Sequence, residues 1–305
     1  MNTLSSVNTL SSANAISSAP ALSSIGQILR LAARTLAPHS DSPRLDAELL
    51  LGQLLGLSRS ALPARDQDPV SPESERAYEE LIAKRARGTP VAYLTGSREF
   101  WSLPLRVTPA VLVPRPETEL LIERALELVA SDERCEVLDL GTGSGAIALA
   151  IASELPHWSV TGGDVSPAAL EVALQNSRAL GLAHIHWLLG SWFEALTAKR
   201  FDLIIANPPY IAASDPALAM LSAEPDMALC SGPTGLEALR AIITDAPAHL
   251  HLGGWLILEH GAAQGPDVAR LLEERGFARI RTHLDLSGKP RATLGTIHSQ
   301  HQELP

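Results

Sequence analysis

The chain has 305 residues, of which 46% are hydrophobic and 19% charged, so it is long enough for two domains and a substantial core. It contains no run of about 18 uninterrupted apolar residues, and the sequence therefore predicts no membrane span. The formal net charge is −10, and residues 1–100 carry ten basic and ten acidic side chains, so the whole excess of negative charge lies in the remainder, which argues against a nucleic-acid-binding catalytic region there.

The first 24 residues are rich in serine and alanine and repeat the pattern Asn-Thr-Leu-Ser-Ser. This composition predicts a disordered low-complexity tail. Residues 25–88 then have helical periodicity, with helices expected near 28–36 and 45–55. A third helix is expected after Ser71, because an N-cap, a first-turn proline and basic residues before Gly88 mark its two ends. This helical domain either has a packing role alone or docks a partner protein.

Residues 89–113 contain β-branched, aromatic and turn-forming residues and predict a β-hairpin linker. A helix is expected to follow and to end near Ala130. Strands and helices then alternate, with strands expected at 136–140, 159–164, 185–189, 201–206 and 255–259. That order predicts an α/β fold with a doubly wound, mostly parallel sheet and a ligand crevice at the carboxyl ends of its strands. Two last strands, near 279–283 and 291–297, are expected to add an antiparallel edge.

A glycine-rich loop follows the first strand of this alternating region and reads Asp139-Leu140-Gly141-Thr142-Gly143-Ser144-Gly145. Glycines let the backbone turn sharply and approach a ligand at the N-terminus of the next helix. The spacing of Gly141, Gly143 and Ala146 also fits the looser dinucleotide fingerprint, so these positions alone do not separate NAD from other nucleosides. The acid at 139 and the third glycine at 145 resemble the pattern of S-adenosylmethionine-dependent methyltransferases.

Two further residues are candidates for the cofactor site. Asp164 ends the second strand of the region, where a carboxylate can accept hydrogen bonds from both ribose hydroxyls. Its alternative role is that of an acid at the start of the helix after Ser166 and Pro167. Trp192 follows the third strand, where an aromatic ring can flank an adenine ring or can simply pack in the core or at its rim.

Other common types of site find no support in the sequence. None of the ten histidines lies at metal-ligand spacing from another histidine or an acid, so no metal is expected. Cys135 and Cys230 lack the spacing of a metal site or a disulfide, which is typical of thiols in a reducing cytoplasm. A Gly-x-Ser-x-Gly elbow and a P-loop lysine are also missing from the sequence, so hydrolase and nucleoside-triphosphatase functions lose their usual support.

The tetrapeptide Asn207-Pro208-Pro209-Tyr210 follows the apolar run 201–206. The prolines end the strand, because neither can donate to a sheet and each holds the preceding residue extended. They also lack N–H groups, so the backbone offers carbonyl oxygens, and the Asn207 side chain adds another acceptor. Such acceptors can hold both hydrogens of a planar NH2 group, aim its nitrogen at an electrophile and let the Tyr210 ring pack on it. A loop that merely contains two prolines is the alternative.

In this order, the glycine loop, Asp164 and residues 207–210 resemble class I methyltransferases of the Asn/Asp-Pro-Pro-Tyr type, which methylate NH2 nitrogens of nucleic-acid bases or of a glutamine side chain. Further segments resemble the protein-(glutamine-N5) methyltransferases that modify peptide chain release factors, the HemK/PrmC family. These segments are 90–96, 100–103, 113–119, 224–229 and 235–236. The resemblance covers about residues 25–298. It departs from the family at Ala92, where glutamine is frequent, and at Ser231-Gly232, where Gly-Gly is common.

The resemblance implies a Rossmann-like, seven-stranded methyltransferase domain over residues 114–305, preceded by a helical substrate-docking domain and the hairpin linker. It implies that S-adenosylmethionine is held by Gly141, Thr142, Gly143, Ser144, Gly145, Asp164 and Trp192. It also implies that the glutamine of a Gly-Gly-Gln loop in class I release factors binds at Asn207, Pro208, Pro209 and Tyr210, with Asn207 and Tyr210 as the catalytic residues. No dedicated general base is expected, since the proton can leave once the nitrogen has become cationic.

Three other functions stay open. They are methylation of a ribosomal-protein glutamine, methylation of amino groups on RNA or DNA bases, and cofactor binding without catalysis. Base methylation predicts a target-recognition region and a basic cleft, whereas only about a hundred residues follow the tetrapeptide and they are acidic on balance. The expected partner is therefore a protein in the cytoplasm, without direct nucleic-acid or membrane binding.

Overall fold

A computed structural model describes residues 22–128, 134–196 and 198–297. Most of the expected N-terminal tail, and the end of the helix expected near Ala130, lie outside the described residues. The chain divides into two compact units after Ala83. Within the described ranges, no helix is long and apolar enough to cross a membrane.

The first unit contains the predicted helices α1 (Ile25–Leu36) and α2 (Pro43–Leu55) and most of the third, α3 (Pro72–Ala86). The backbone N–H of Ser74 donates to the Ser71 hydroxyl, so Ser71 caps α3 as the sequence predicts. Two short 3-10 turns, Arg59–Ala61 and Pro63–Arg65, lie between α2 and α3. The buried Tyr78 hydroxyl donates to the Ala47 carbonyl at 2.8 Å and joins α3 to α2.

Part of the segment expected to form only a hairpin is helical. Helix α4 (Val91–Thr95) precedes the antiparallel pair β1 (Ser97–Phe100) and β2 (Leu103–Arg106). The reason is local, since Pro90 presets the backbone before α4 and Gly96, at φ 72°, ends it in the left-handed region. A 3-10 turn, Pro116–Thr118, then leads into α5 (Glu119–Leu128).

A seven-stranded sheet with helices on both faces forms the rest of the second unit, which confirms the predicted α/β class. Its strands are β3 (Glu136–Leu140), β4 (Ser159–Asp164), β5 (His186–Leu189), β6 (Phe201–Ala206), β7 (Leu250–Glu259), β8 (Phe277–Leu284) and β9 (Pro290–Ile297). Its helices are α6 (Ala146–Glu154), α7 (Pro167–Ala179), α8 (Ala217–Met220), α9 (Glu237–Asp245) and α10 (Gly265–Glu274). Strand β7 begins five residues before the predicted start, and α8 is not predicted.

The strand order is β5-β4-β3-β6-β7-β9-β8, with β3 to β7 parallel and β9 antiparallel to both of its neighbours. The chain first builds outward from β3 through β4 to β5 and then returns to place β6 on the other side of β3. The carboxyl ends of β3 and β6 therefore meet, with Leu140 opposite Ala206. A sheet of this kind binds its ligands at such a reversal of strand order.

The central strands are buried on both faces. In β6, Leu203 and Ile205 pack in one core cluster with α6, whereas Ile204 and Ala206 pack in the opposite cluster with α9 and α10. A parallel strand covered on both sides has no solvent face, which is why this strand is a continuous apolar run rather than an alternating one.

Candidate functional site

A cleft lies at the carboxyl ends of β3, β4, β5 and β6. Eight of the predicted site residues line it, namely Gly141, Thr142, Gly143, Ser144, Asp164, Trp192, Asn207 and Pro209. Tyr210 lines a smaller adjoining cavity that shares Asn207 with the cleft. Pro208 is buried, and neither Pro208 nor Gly145 lies among the residues that line these cavities. The fold thus brings the glycine loop and the tetrapeptide together from positions some sixty residues apart in the chain.

Gly145 does not line the cleft and packs instead against side chains behind the loop. Its φ is 85°, and a Cβ at this position would lie 3.0 Å from Leu149 and 3.1 Å from Trp187. Only glycine combines this backbone conformation with so close a contact to neighbouring side chains. Gly145 therefore allows α6 to start directly behind the loop, while Gly141 and Gly143, also at positive φ, shape the surface that lines the cleft.

Asp139 holds the loop from inside the protein. It is fully buried, and its Oδ2 accepts hydrogen bonds from the Thr142 hydroxyl and, at 3.2 Å, from the Ala148 N–H. Its Oδ1 has no hydrogen-bond partner among the described residues. Burial raises the pKa of Asp139 to about 7, although the two hydrogen bonds oppose this shift. Asp139 therefore orders the start of α6 and does not contact the cleft.

A shift of this size makes stability depend on pH. Folded Asp139 keeps its proton up to about pH 7, whereas the unfolded side chain loses it near 3.8. This contribution is fully present below the unfolded pKa and is lost as the pH rises through the folded pKa. Asparagine does not titrate. Between pH 5.5 and 7.5 the wild type should therefore lose about 2 kcal/mol of this stabilisation, whereas Asp139→Asn loses none of it. The difference in the free energy of unfolding, Asp139→Asn minus wild type, should increase by this amount.

Urea unfolding of both proteins at several pH values measures this difference. Comparing the two proteins at each pH cancels the titration of every group that they share, including the buried His260. A difference that stays constant over this range would show that Asp139 does not titrate there.

Asp164 has the second of the two roles that the sequence left open, that of an acid at a helix start, and it also lines the cleft, where its contact with a ribose stays a prediction. Its Oδ1 accepts from the Ser166 N–H at 2.8 Å, as an acid at a helix start does, and its Oδ2 accepts from the Gly143 N–H at 2.9 Å. A carboxylate oxygen has more than one acceptor site, so these bonds leave capacity for donors in the cleft. Trp192, at the opposite wall, adopts a positive φ of 46° and lies next to Gly141.

The Asn207 side chain belongs to a short chain of hydrogen bonds. Asn207 Nδ2 donates to Thr118 Oγ1 at 3.0 Å, and the Thr118 hydroxyl donates to Glu259 Oε2 at 2.6 Å. The Tyr210 hydroxyl donates to the other oxygen, Glu259 Oε1, at 3.1 Å. Because the amide nitrogen of Asn207 is held by Thr118, its oxygen Oδ1 is left for a ligand.

The carboxyl group at the centre of this chain is unusual. Glu259 is 1% exposed, and burial raises its pKa to about 7 against the opposing hydrogen bonds from Thr118 and Tyr210. Burial also raises the pKa of the Tyr210 hydroxyl above its ordinary value, and the neighbouring Glu259 adds to this effect. Tyr210 is therefore a neutral hydrogen-bond donor at physiological pH.

An ion pair frames the far side of the cleft. Arg115 pairs with Glu224, which is 5% exposed and also accepts from the Val113 N–H at 3.0 Å. The contact ties the segment at 110–115 to the segment at 225–228, and both segments line the cleft. Arg115 lies between two prolines, which restrict the backbone and so limit where its side chain can point. In that direction the side chain meets Glu224.

Sequence reasoning did not assign Thr118, Glu224 or Glu259 to the site. Glu259 had a usable signal, since it ends an apolar strand in the same way as Asp164 and Asn207 do. Thr118 and Glu224 lie in loops and turns without such a signal. Among the described residues, no group of His, Cys, Asp and Glu could hold a metal ion.

Comparisons with known proteins show the family of this chain. A family model described as "PrmC N-terminal domain" matches residues 27–96, and one described as "Methyltransferase small domain" matches residues 116–223. A release factor glutamine methyltransferase of Xylella fastidiosa is 48% identical over 83% of this chain and 92% of that protein. One of Coxiella burnetii is 41% identical over 88% of this chain and 97% of that protein.

A solved structure supports the fold alone. It is a T. thermophilus 16S rRNA N2 methyltransferase in complex with AdoMet and guanosine, at 23% identity and a TM-score of 0.52 over 66% of this chain and 50% of that chain. The two curated relatives, by contrast, match this chain over most of their own length at more than 40% identity. The chain therefore belongs to the release factor glutamine methyltransferase family and is a methyltransferase with an α/β, class I fold.

Proposed function

We propose that this chain transfers a methyl group from S-adenosylmethionine to the side-chain amide nitrogen of the glutamine in the Gly-Gly-Gln motif of class I peptide chain release factors, in the cytoplasm. The observation that carries the proposal is the orientation of Asn207. Its nitrogen donates to Thr118, its amide oxygen has no hydrogen-bond partner among the residues that the structure describes, and Asn207 lines both the cleft and the smaller cavity.

The residues of the cleft fit S-adenosylmethionine. The Asp164 carboxylate has acceptor capacity left for two ribose hydroxyls, and the Trp192 ring offers an apolar face to an adenine. Gly141 and Gly143 carry no side chains, so their backbone can approach the cofactor closely. When bound, the cofactor supplies a methyl group on a sulfonium, which is the electrophile of the reaction.

The smaller cavity fits a glutamine side chain. Where this cavity joins the cleft, the Asn207 oxygen and a backbone carbonyl of the tetrapeptide accept hydrogen bonds from the two amide hydrogens, which turns the nitrogen lone pair toward the methyl group. The Tyr210 ring packs beside the planar amide, and its hydroxyl is held away by Glu259. The product nitrogen is cationic and loses its proton to water, so no side chain acts as a base. Glycine neighbours let a substrate loop enter so narrow a space.

The helical region 25–88 is the proposed docking domain for the release factor. The match of the "PrmC N-terminal domain" model to residues 27–96 supports a conserved family role for this region. The names of the relatives support a release factor as the partner.

The test is incubation with methyl-labelled S-adenosylmethionine and a class I release factor, followed by mass spectrometry of the labelled peptide. We expect one methyl group on the Gly-Gly-Gln glutamine and none on a release factor whose glutamine is replaced by alanine. Label on a ribosomal protein, an RNA or a DNA but not on the release factor would contradict the proposal. So would cofactor binding with no transfer above an Asn207→Ala control.

A further inference from the structure

The reaction proposed above uses Asn207 and Tyr210 directly, yet both depend on one buried carboxyl group that contacts no ligand. Glu259 is the last residue of β7, and β7 lies next to β6 in the sheet with Leu258 opposite Ala206. Glu259 therefore lies beside the first residues after β6, behind the wall of the cleft. Neither cavity is lined by Glu259.

The hydrogens of this network can be counted. An ionised carboxylate has only acceptors, so the hydroxyl hydrogens of Thr118 and Tyr210 must both point toward Glu259. A hydroxyl has one hydrogen, and that of Thr118 is thereby used. The oxygen of Thr118 can then only accept from Asn207, which requires the NH2 side of the amide to face it.

The opposite orientation of Asn207 would be inactive. If the amide rotated by half a turn, its oxygen would face the Thr118 oxygen with no hydrogen between them. Its NH2 group would then face the NH2 group of the substrate glutamine, and two sets of donors repel each other. The two orientations of an asparagine amide have nearly the same shape, so packing alone does not choose between them.

We propose that Glu259, acting through Thr118, is a positioning residue that fixes the Asn207 amide with its oxygen toward the substrate. This inference rests on the proposed function, in which Asn207 is the acceptor. The inference adds Thr118 as the relay between Glu259 and Asn207. Thr118 lines the cleft but is only 4% exposed.

The direction of the network depends on the charge of Glu259. When the carboxyl is protonated, it can donate to Thr118, whose hydroxyl can then turn and donate to the Asn207 oxygen. The charged or titratable groups that face Glu259 are Tyr210, Arg291 and Glu117. Arg291 favours the ionised form, Glu117 opposes it, and burial opposes it most, so the pKa of Glu259 lies at about 7. The hydrogen bonds of this network therefore change direction within the physiological pH range.

Substitutions of Thr118 test the relay. Thr118→Val keeps the shape but removes the hydroxyl, and we expect kcat to fall about 10-fold, the size expected for one orienting hydrogen bond. Thr118→Ser keeps the hydroxyl and should retain most of the activity. The affinity for S-adenosylmethionine should stay within about 2-fold in both variants. Thr296→Val is a matched control, because Thr296 is equally buried and donates only to the Gly253 and Gly254 carbonyls away from the cleft.

The pH profile separates positioning from a merely structural role. In the wild type we expect kcat at saturating substrates to fall below about pH 7, and in Glu259→Gln this acidic decline should disappear, because glutamine has no proton to gain. Wild-type activity in Thr118→Val, or an acidic decline that persists in Glu259→Gln, would overturn the proposal. An equal loss of kcat in Thr118→Ser and Thr118→Val would also overturn it.

A measurement without substrate keeps this inference separate from the proposed function. The chain has five asparagines, so selective 15N labelling gives few side-chain NH2 signals, and Asn207→Ala identifies the one of interest. We expect this signal to exchange slowly with water in the wild type, to shift as Glu259 titrates, and to exchange rapidly in Thr118→Val. Failure of this result overturns the positioning role even if release factors are methylated. If the expected NMR result is obtained but no release factor is methylated, only the proposed substrate is contradicted.

Discussion

Replacement of Asn207 by alanine is expected to lower kcat for methyl transfer by about 10³-fold, the largest effect of any single substitution in the site. The change removes the side-chain acceptor that we propose for the substrate amide and leaves the nitrogen conjugated with its carbonyl, where it is a poor nucleophile. A group that acts in the transition state affects kcat more than the affinity for the cofactor.

Single-turnover transfer to a release factor, together with calorimetric titration of S-adenosylmethionine, measures both quantities. The dissociation constant of the cofactor should stay within about 3-fold of the wild-type value, because Asn207 lies at the edge of the cleft that adjoins the smaller cavity. Asn207→Asp retains an acceptor in the same place and should keep more activity than Asn207→Ala. Transfer by Asn207→Ala at more than about a tenth of the wild-type rate would remove Asn207 from its proposed role.

The second large effect is expected at Asp164. Asp164→Ala should weaken the binding of S-adenosylmethionine by about 10²- to 10³-fold, because the charged acceptor that we propose for the two ribose hydroxyls is lost. The Gly143 N–H loses its partner at the same time, which loosens the loop that forms the floor of the cleft. At saturating cofactor, the rate of transfer should recover to a large extent, since Asp164 contacts no reacting atom.

Asp202 provides a matched control. It lies at the opposite end of the sheet, in β6, and its carboxylate likewise accepts a hydrogen bond from a backbone N–H, that of Glu136, at 2.8 Å. Asp202→Ala should therefore reproduce the loss of one backbone hydrogen bond and leave the affinity for the cofactor unchanged. Equal weakening of cofactor binding in both variants would indicate a general loss of sheet stability instead of a lost ribose contact.

The sequence by itself determined the local features of this protein. Strands β3 and β4 have the predicted ends, because apolar runs bounded by glycine, proline and acids are signals within a few residues of each other. The glycine loop, Asp164 and Asn207 were singled out for the same reason, since each lies at or directly after the end of a strand, and the structure places all three at one cleft. The predicted hairpin was only partly correct, because Pro90 and Gly96 bound a helix too short to have a periodic pattern.

The tertiary structure alone decided which of these strand ends meet. The order of β3, β6 and β7 depends on packing between elements far apart in the chain, and no local pattern encodes it. Thr118 and Glu259 are separated by 141 residues, and Arg115 and Glu224 by 109, so their contacts exist only once the sheet and its loops have assembled. The sequence therefore specified the acceptor at Asn207, and the fold specified the direction in which that acceptor points, because a buried hydrogen-bond network leaves its amide a single satisfied orientation.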